Sequence, residues 1–382
     1  MVKITFIILI LILSFEISSQ VQINISAKTP CSKEIKLSDI IDNINYISLE
    51  TKRECLIGSL TEIRFTDNFF FVKNHLPPSL FQFDCTGRFI TNIGKQGLGP
   101  GEFNRLRSFC IDEGNKNVIL YAKQPDKLLI YEFDGNLNKT VFCPDDQPVN
   151  EIESFSNDNY VLMFANYNGK TKHSYQCYSM QNTLLTKAII PKSFSRNGSF
   201  SIMPEFSFYT YNNSLNIKEN ILNDTIYTIV GTNFIPKYVL NFGKNTFPIE
   251  ARQERTTYLK NMHEYVIMKN IFESKNYLIL IYRFNKEIHV GFYHKNTKTT
   301  CLMKNDGIIN DFDGGVSFKP IYQRNNILIG FIESYALIAH VNSKTFINST
   351  PKYPKKKKEL EKLANSLNEN DNPVLMLVKL KE

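Results

Sequence analysis

Charged and polar side chains that could do chemistry gather in three separate segments of this 382-residue chain. The first, residues 94–107, is rich in glycine, and the second, residues 304–315, places acids before Gly314-Gly315. The third, residues 248–262, mixes acids and bases. Acids and bases on loops suit the binding of a polar ligand such as a glycan or a peptide. Eight residues are candidates for a ligand-binding rim: Lys95, Gln96, Glu102, Arg105, Arg252, Arg255, Asp311 and Asp313.

Sequence motifs for catalysis, metal binding or phosphate binding are absent. The glycine-rich segment matches neither GxxxxGK[ST] nor GxGxxG, which argues against a phosphate cradle. The six histidines form no HExxH, no GxSxG is present, and the seven cysteines form no CxxC. Asp311 and Asp313 alone supply too few of the roughly six to eight oxygens that calcium takes. We therefore predict no metal site, no catalytic residue and no cofactor.

Two other roles stay open for the acidic residues. Asp311 and Asp313 can cap the turns made by Gly314-Gly315, and Glu102 can bond to backbone within its own loop. Distant residues can also meet across a fold, and an acid pair such as Glu102 with Asp311 would then suit glycoside chemistry. An enzyme is thus the less favoured alternative.

The elements that must position these residues repeat along the chain. The clearest copies, residues 79–90 and 127–137, are two apolar strands around a polar turn. A strand-based period of this size predicts radially arranged sheets, a β-propeller. Inner strand pairs precede the hairpins, and only the pair near residues 200–211 is poorly marked. We predict an all-β fold with six four-stranded antiparallel blades. The hairpins recur about 48 residues apart, with turns at Gly87, Gly135, Asn182, Gly231, Asn296 and Asn342.

The two ends of the ring must pair, because an open sheet edge is an aggregation hazard. Ile44–Leu49 and Pro373–Leu380 both alternate like strands. We expect one or both to complete the terminal blades. Residues 44–382 then form a single propeller domain, and residues 20–43 form an extended lead-in.

Two helices are predicted besides the blades. The spacing of 65 residues between Gly231 and Asn296 is longer than the period, and the surplus predicts a short helix at about residues 248–262, between blades four and five. A second helix at about residues 354–368 would place its leucines on one face. It includes Lys355–Lys358, the densest basic run. We interpret that run as a solvated helix face and predict no nucleic-acid partner, despite the net charge of +8.

The first 19 residues have the pattern of a secretory signal peptide. Lys3 precedes an apolar run, Ile4–Leu13, and small residues follow near Ser19. The run is shorter than the roughly 20 residues needed to cross a bilayer. We expect an exported mature chain, periplasmic or extracellular, without a transmembrane segment. In such an oxidising compartment one disulfide is possible, and the odd cysteine count leaves at least one free thiol.

Several stretches carry a family resemblance. Residues 81–112, from Phe81-Gln-Phe-Asp through Gly97-Leu-Gly-Pro-Gly-Glu-Phe to Ile111-Asp112, resemble an NHL repeat. With residues 304–315 and 370–375, they look still more like the exported six-bladed β-propeller proteins of the Bacteroidetes. The resemblance implies a secreted or periplasmic propeller, often near glycan-utilisation machinery, with no agreed activity. Many members begin with a lipoprotein signal, and this chain departs from that pattern.

Topology brings the three polar segments to one face of such a disk. Loops that leave an outermost strand for the next innermost strand all emerge around the same mouth of the central channel, where ligands of closed β architectures usually bind. We therefore predict an exported, non-enzymatic binding or scaffolding propeller that presents this face to a glycan, a peptide or an envelope protein. The alternative is a propeller hydrolase or lyase that acts on a glycan with carboxylates at the channel mouth.

Overall fold

The computed structural model describes residues 20–25, 29–31, 34–143, 147, 149–156, 158–196, 198, 200–303 and 307–382. The predicted signal peptide, residues 1–19, falls outside them. Within the described residues the chain forms a six-bladed β-propeller, which confirms the fold expected from the repeat. Each blade is a four-stranded antiparallel sheet, and its strands are ordered from the axis outward.

The N-terminal segment and the first three blades follow in chain order. The segment contains β1 (Val21–Asn24), the helical turn α1 (Leu37–Ile40) and β2 (Ile41–Ser48). Blade one contains β3 (Leu60–Phe65), β4 (Phe69–Asn74), β5 (Ser79–Asp84) and β6 (Phe89–Asn92). Blade two contains β7 (Arg105–Asp112), β8 (Asn117–Lys123), β9 (Lys127–Glu132) and β10 (Leu137–Phe142). Blade three contains β11 (Val149–Ser156), β12 (Asn159–Phe164), β13 (Tyr175–Ser179) and β14 (Leu184–Ala188).

Blades four and five flank the helical insertion. Blade four contains β15 (Phe206–Tyr211), β16 (Ser214–Glu219), β17 (Thr225–Val230) and β18 (Asn233–Asn241). The insertion contains α2 (Ile249–Gln253) and α3 (Arg255–Asn261), close to the bounds that the irregular spacing predicts. Blade five contains β19 (Ile267–Glu273), β20 (Tyr277–Phe284), β21 (Glu287–His294) and β22 (Thr299–Leu302).

Blade six closes the ring with both ends of the chain. Its strands, from the axis outward, are β23 (Tyr322–Arg324), β24 (Ile327–Ile332), β25 (Val374–Leu380) and β2. Strand β2 runs antiparallel to β25, with Ile44 opposite Val378. The expectation that one or both terminal strands complete the ring is therefore confirmed, and both do.

The hairpin predicted around Asn342 is wrong. That stretch forms α4 (Ser334–Val341) and α5 (Lys344–Asn348), which lie with α6 (Pro354–Ala364) between β24 and β25. Leu337 and Val341 are buried four residues apart, which is helical spacing. Ser343 Oγ accepts a hydrogen bond from Phe346 N at 3.1 Å, so the apparent turn residue beside Asn342 is a helix N-cap.

Helix α6 confirms the predicted C-terminal helix before the closing strand. Leu360 is buried, and Leu363 and Leu367 pack against the same core as α4. Lys357, in the basic run, donates to the backbone oxygens of Ile347 and Ser349 at 3.1 and 2.7 Å. The helix thus packs its apolar face on the propeller.

Six apolar clusters, one between each pair of neighbouring blades, form the core. Turn glycines allow the blades to approach closely at their edges. Gly87, with φ of 89°, lies so near the outermost strand of blade six that a Cβ would come within 2.1 Å of Ser48 O. Gly135 in blade two, with φ of 88°, meets Asn92 O of blade one in the same way, at 3.0 Å. A side chain at either turn would separate two blades.

The N-terminal segment crosses the outer edges of three blades. Strand β1 adds in parallel to β18 of blade four, and Cys31 forms a disulfide with Cys301 of blade five. The chain then enters blade six as β2. The other five cysteines are free thiols. One disulfide and five free thiols agree with the expectation from the odd number of cysteines.

Candidate functional site

Two cavities lie along the propeller axis, one at each end of the innermost strands. The larger, about 970 Å³, is lined by the beginnings of all six innermost strands. The smaller, about 420 Å³, is lined mainly by their ends. Arg64 and Tyr322 line both cavities. We call the larger cavity the funnel; its lining includes Thr61–Arg64, Arg105–Arg107, Glu151, Phe206–Phe208, Asn270 and Tyr322.

Arg64 separates the funnel from the smaller cavity. Its Nε donates to Glu153 Oε2 at 2.7 Å, and its Nη2 donates to Glu62 Oε1 at 2.9 Å. Arg64 is 3% exposed, so these two carboxylates and the surrounding rings fill the axis. The funnel is therefore a dead-ended pocket rather than an open channel. Three aromatic rings surround the guanidinium carbon at 4.5, 5.0 and 5.4 Å: those of Tyr322, Phe208 and Phe109.

β-Bulges shape the mouth of the funnel. In blades one, two, three and five the register shifts by one residue near the start of the innermost strand. A bulge bends its strand and re-aims the side chains beside it. At this edge each of these strands therefore has one polar residue outside the regular pairing. The residues left without a partner in the register are Thr61, Arg107, Asn150 and Lys269.

The funnel wall is basic on one side and apolar on another. Two carboxylates, Glu62 and Glu151, are outnumbered by basic side chains. The basic residues of the lining, besides His75, are Arg64, Lys73, Arg105, Arg107 and Lys123. The apolar part of the wall includes Tyr167, Phe200, Met203 and Phe208.

The two funnel carboxylates differ in their electrostatic surroundings. For Glu62, burial is outweighed by Lys73, whose Nζ lies 2.7 Å from Oε2, so its pKa is lowered. Burial raises the pKa of Glu151, and the nearby Glu62 raises it further. Arg107 Nη2 is 3.7 Å from Glu151 Oε1, too far for a short ion pair. Ser108 Oγ donates to Glu62 Oε1 at 3.2 Å. Carboxyl groups whose pKa values move apart can divide the roles of acid and base.

Of the eight residues expected on the rim, Gln96 and Arg105 line the funnel. Gln96 Nε2 also donates to Asn104 O at 3.4 Å, which ties it to the far side of its own loop. Arg105 is exposed at the start of β7. Lys95, Glu102, Arg252, Arg255, Asp311 and Asp313 are not among the funnel's lining residues.

Glu102 stabilises its own loop. Its Oε2 accepts from Gly99 N at 2.8 Å, and its Oε1 lies 2.9 Å from Lys95 Nζ. A Cβ on Gly97 would come within 1.9 Å of the same carboxylate, so a side chain there would displace it. These contacts match the structural alternative for Glu102.

Asp311 and Asp313 fasten their loop to the N-terminal segment. Asp311 accepts from Ser38 N and Oγ at 2.9 and 2.8 Å. Asp313 Oδ1 accepts from Gly315 N at 2.9 Å and from Tyr46 Oη at 3.2 Å. The turn-capping alternative therefore describes Asp313. The structure does not form the Glu102–Asp311 acid pair, because each carboxylate is engaged by partners of its own.

Arg252 and Arg255 have different surroundings although they are three residues apart. Arg252 is 1% exposed and its Nη2 donates to both carboxylate oxygens of Glu205, at 3.1 and 3.0 Å. Its Nε and Nη2 also donate to Asn166 O. Arg255 is exposed. Arg252 thus connects the helical insertion to blades three and four behind the funnel wall.

Most funnel residues that lie on strands are not among the predicted site residues; Arg105 is the exception. Glu62, Arg107 and Glu151 all occur at or beside a bulge in the first residues of an innermost strand. The candidate site residues are all predicted in loops or in the helical insertion, whereas positions of this kind are predicted as the interior of a strand. The available signal is that the third residue of the innermost strand is charged in each of blades one to three.

Metal binding and membrane crossing have no support among the described residues. There, no group of three or more His, Cys, Asp or Glu side chains is arranged to hold a metal ion. None of the helices described is long and apolar enough to cross a membrane.

Fold and funnel together define a six-bladed β-propeller with a dead-ended axial pocket. Residues 20–379 match the family described as "Domain of unknown function (DUF4934)", and the chain belongs to that family. No curated protein matches the chain.

Two solved structures share the fold. One, from Bacteroides fragilis, is described as "Putative exported protein"; it is 18% identical with a TM-score of 0.74 over 95% of this chain and 100% of that one. The other is a member of the DUF4221 family from Bacteroides vulgatus, 10% identical with a TM-score of 0.53 over 91% and 99% of the two chains. At these identities the likeness concerns the fold alone.

Proposed function

We propose that this chain is an exported, non-enzymatic binding module that holds part of a glycan or a peptide in the funnel. The observation that carries the proposal is the dead end at Arg64, because ligand sites are typically concave pockets that bury most of the ligand surface. The funnel's volume of about 970 Å³ is near the upper end of small-molecule sites, roughly 300–1,000 Å³. Aromatic and basic walls together suit a ligand with both apolar faces and polar groups.

Three observations support export. The Cys31–Cys301 disulfide is of the kind that forms and persists in oxidising compartments. The similar structure from Bacteroides fragilis is described as an exported protein. Residues 1–19 add the pattern of a signal peptide.

The proposal is tested by filling the funnel. Thr61 is an exposed residue of the funnel wall, and Thr61→Trp would occupy the mouth. Asn68→Trp is the matched control, because Asn68 is also exposed but lies in the turn at the other end of the same strand, outside both cavities. Glycan and short-peptide panels are screened by thermal shift, and hits are titrated by calorimetry.

We expect each specific hit to bind the wild type and Asn68→Trp alike and to bind Thr61→Trp at least about tenfold more weakly, which is a loss of about 1.4 kcal/mol. Hits that bind Thr61→Trp and the wild type with equal affinity would show that the binding site lies outside the funnel.

The two funnel carboxylates favour a second candidate function, a glycan hydrolase or lyase. Glu62, with its lowered pKa, would act as the base, and Glu151, with its raised pKa, as the acid. If this function is right, the wild type turns over a member of the glycan panel, and Glu151→Gln slows that reaction by about 100-fold or more. Glu102→Gln serves as the control outside the funnel. Binding without turnover by the wild type would leave the binding module as the function.

A further inference from the structure

The second blade contributes an unusual pair of like charges to the funnel. Arg105 on β7 is directly opposite Lys123 on β8 in the sheet register. Like charges at directly opposite positions of antiparallel strands destabilise the pair. Both residues line the funnel, and within the described chain neither forms an ion pair with a carboxylate. A destabilising arrangement at a cavity wall indicates a role other than stability.

Arg107 adds a third basic group to the same wall. It occupies the bulge two residues after Arg105, and its Nε donates to Asn150 O at 3.0 Å, which fixes the guanidinium. Its nearest carboxylate, on Glu151, is 3.7 Å away. At that distance the carboxylate offsets the positive charge of Arg107 only in part.

Lys123 is affected by this excess of positive charge. Burial lowers the pKa of its ammonium, and the neighbouring Arg107 lowers it further, whereas Asp126 acts in the opposite direction. Apart from His75, the other basic residues of the lining are Lys73 and Arg64, which are already held by Glu62 at 2.7 and 2.9 Å. The uncompensated charge is therefore confined to the second-blade wall.

We infer that Arg105, Arg107 and Lys123 form an oxyanion subsite, and that it binds a carboxylate, phosphate or sulfate group carried by the glycan or peptide in the funnel. Guanidinium and ammonium groups bind such oxygens through charge-assisted hydrogen bonds. The apolar wall with Tyr167, Phe200 and Met203 would contact the body of the ligand. This inference rests on the proposed binding function and specifies its ligand class.

The test removes the opposed pair and keeps Arg107. Arg105→Gln/Lys123→Gln is compared with the wild type and with Lys139→Gln, a change of an exposed lysine on β10 of the same blade. Each protein is titrated with D-galacturonate, D-galactose, inorganic phosphate and inorganic sulfate at low ionic strength. Galacturonate and galactose differ in the carboxylate, and the two inorganic ions distinguish the other oxyanions.

We expect at least one anion to bind the wild type and Lys139→Gln, and to bind the double variant about tenfold more weakly or worse. Galactose should not distinguish the three proteins. The double variant should unfold at the same or a higher temperature, because it loses a repulsion; a structural role for the pair would lower that temperature.

Equal binding of the anions by the wild type and the double variant would overturn the inference, and so would wild-type protein that binds none of the three anions. Neither result decides the binding function itself. That function is decided by whether Thr61→Trp weakens the binding of panel hits, neutral ones included.

Discussion

Glu219 is a buried carboxyl group whose ionisation opposes folding. It lies at the end of β16, 4% exposed, and accepts from Ser174 Oγ at 3.0 Å. Burial raises its pKa to about 7, while the Ser174 hydrogen bond acts in the opposite direction. Between the pKa of an unfolded glutamate, about 4.5, and about 7, the folded state binds more protons than the unfolded state. Its contribution to stability is thus present at low pH and is lost as the pH rises through 7.

Glu219→Gln should therefore become more stable relative to the wild type as the pH rises from 5 to 8. A shift of this size corresponds to about 2–3 kcal/mol across that window. Urea unfolding at pH 5, 6, 7 and 8 measures the difference, with Glu132→Gln as an exposed control. A difference between Glu219→Gln and the wild type that stays constant with pH would contradict the argument. Glu153, whose pKa is also raised to about 7 by burial, preserves part of the pH dependence in the variant.

Arg64 is expected to be important for stability because it compensates buried carboxylates. Arg64→Met removes the cation beside Glu153, which is 3% exposed, and leaves that carboxylate without its partner. We expect a loss of about 3–5 kcal/mol in the free energy of unfolding, measured in urea at pH 8. The double variant Arg64→Met/Glu153→Leu should recover much of that loss, since no unpaired charge is left on the Glu153 side. A single variant as stable as the wild type would show that the axial ion pair contributes nothing.

Among the elements, the helical insertion is attached by a buried ion pair as well as by an apolar cluster around Ala251 and Tyr258. Arg252 on α2 connects the loop before β15, through Glu205, with the loop after β12, through Asn166 O. Arg252→Ala would leave Glu205 buried and unpaired, so we expect a loss of about 3–5 kcal/mol in the free energy of unfolding. Arg255→Ala, three residues on and exposed, should change it by less than about 0.5 kcal/mol. Equal effects of the two substitutions on urea midpoints would refute this role.

The sequence predicts elements well where one local signal has one structural meaning. Around Gly87 and Gly135, alternating apolar residues and a left-handed glycine allow only a hairpin, and hairpins form there. Around Asn342 the same short apolar runs fit a strand or a helix, and burial on the core of blade six selects the helix. The partner of Asp311 is Ser38, which is distant in sequence, so its structural role could not be derived from local pattern.

At the scale of the whole molecule, the period predicts the number of blades but not how the last one is assembled. Apolar residues alternate in the same way in both terminal strands. This pattern does not say which of the two strands lies at the outer edge of blade six. The funnel was only partly predictable for a related reason. Its charged residues come from different blades, and bulges re-aim several of them, so their convergence follows from ring geometry rather than from any one motif.

Ring closure makes the N-terminal segment important for the stability of the whole propeller. Ile23 and Ile25 are buried in the core between blades four and five, and β2 is the outermost strand of blade six. Between them, the Cys31–Cys301 disulfide attaches the segment to blade five. The two cysteines are separated by 270 residues, so the cross-link restricts a very long loop of the unfolded chain.

Cys31→Ser/Cys301→Ser should lower the free energy of unfolding by about 2–5 kcal/mol. Dithiothreitol should lower the urea midpoint of the wild type to that of the variant and leave the variant unchanged. Cys85→Ser, which removes an exposed free thiol, should behave like the wild type in both conditions. If the reductant lowers the midpoint of the double variant as much as that of the wild type, the stabilisation does not come from this disulfide. A variant with an unchanged midpoint would mean that β1 and β2 close the ring without a covalent link.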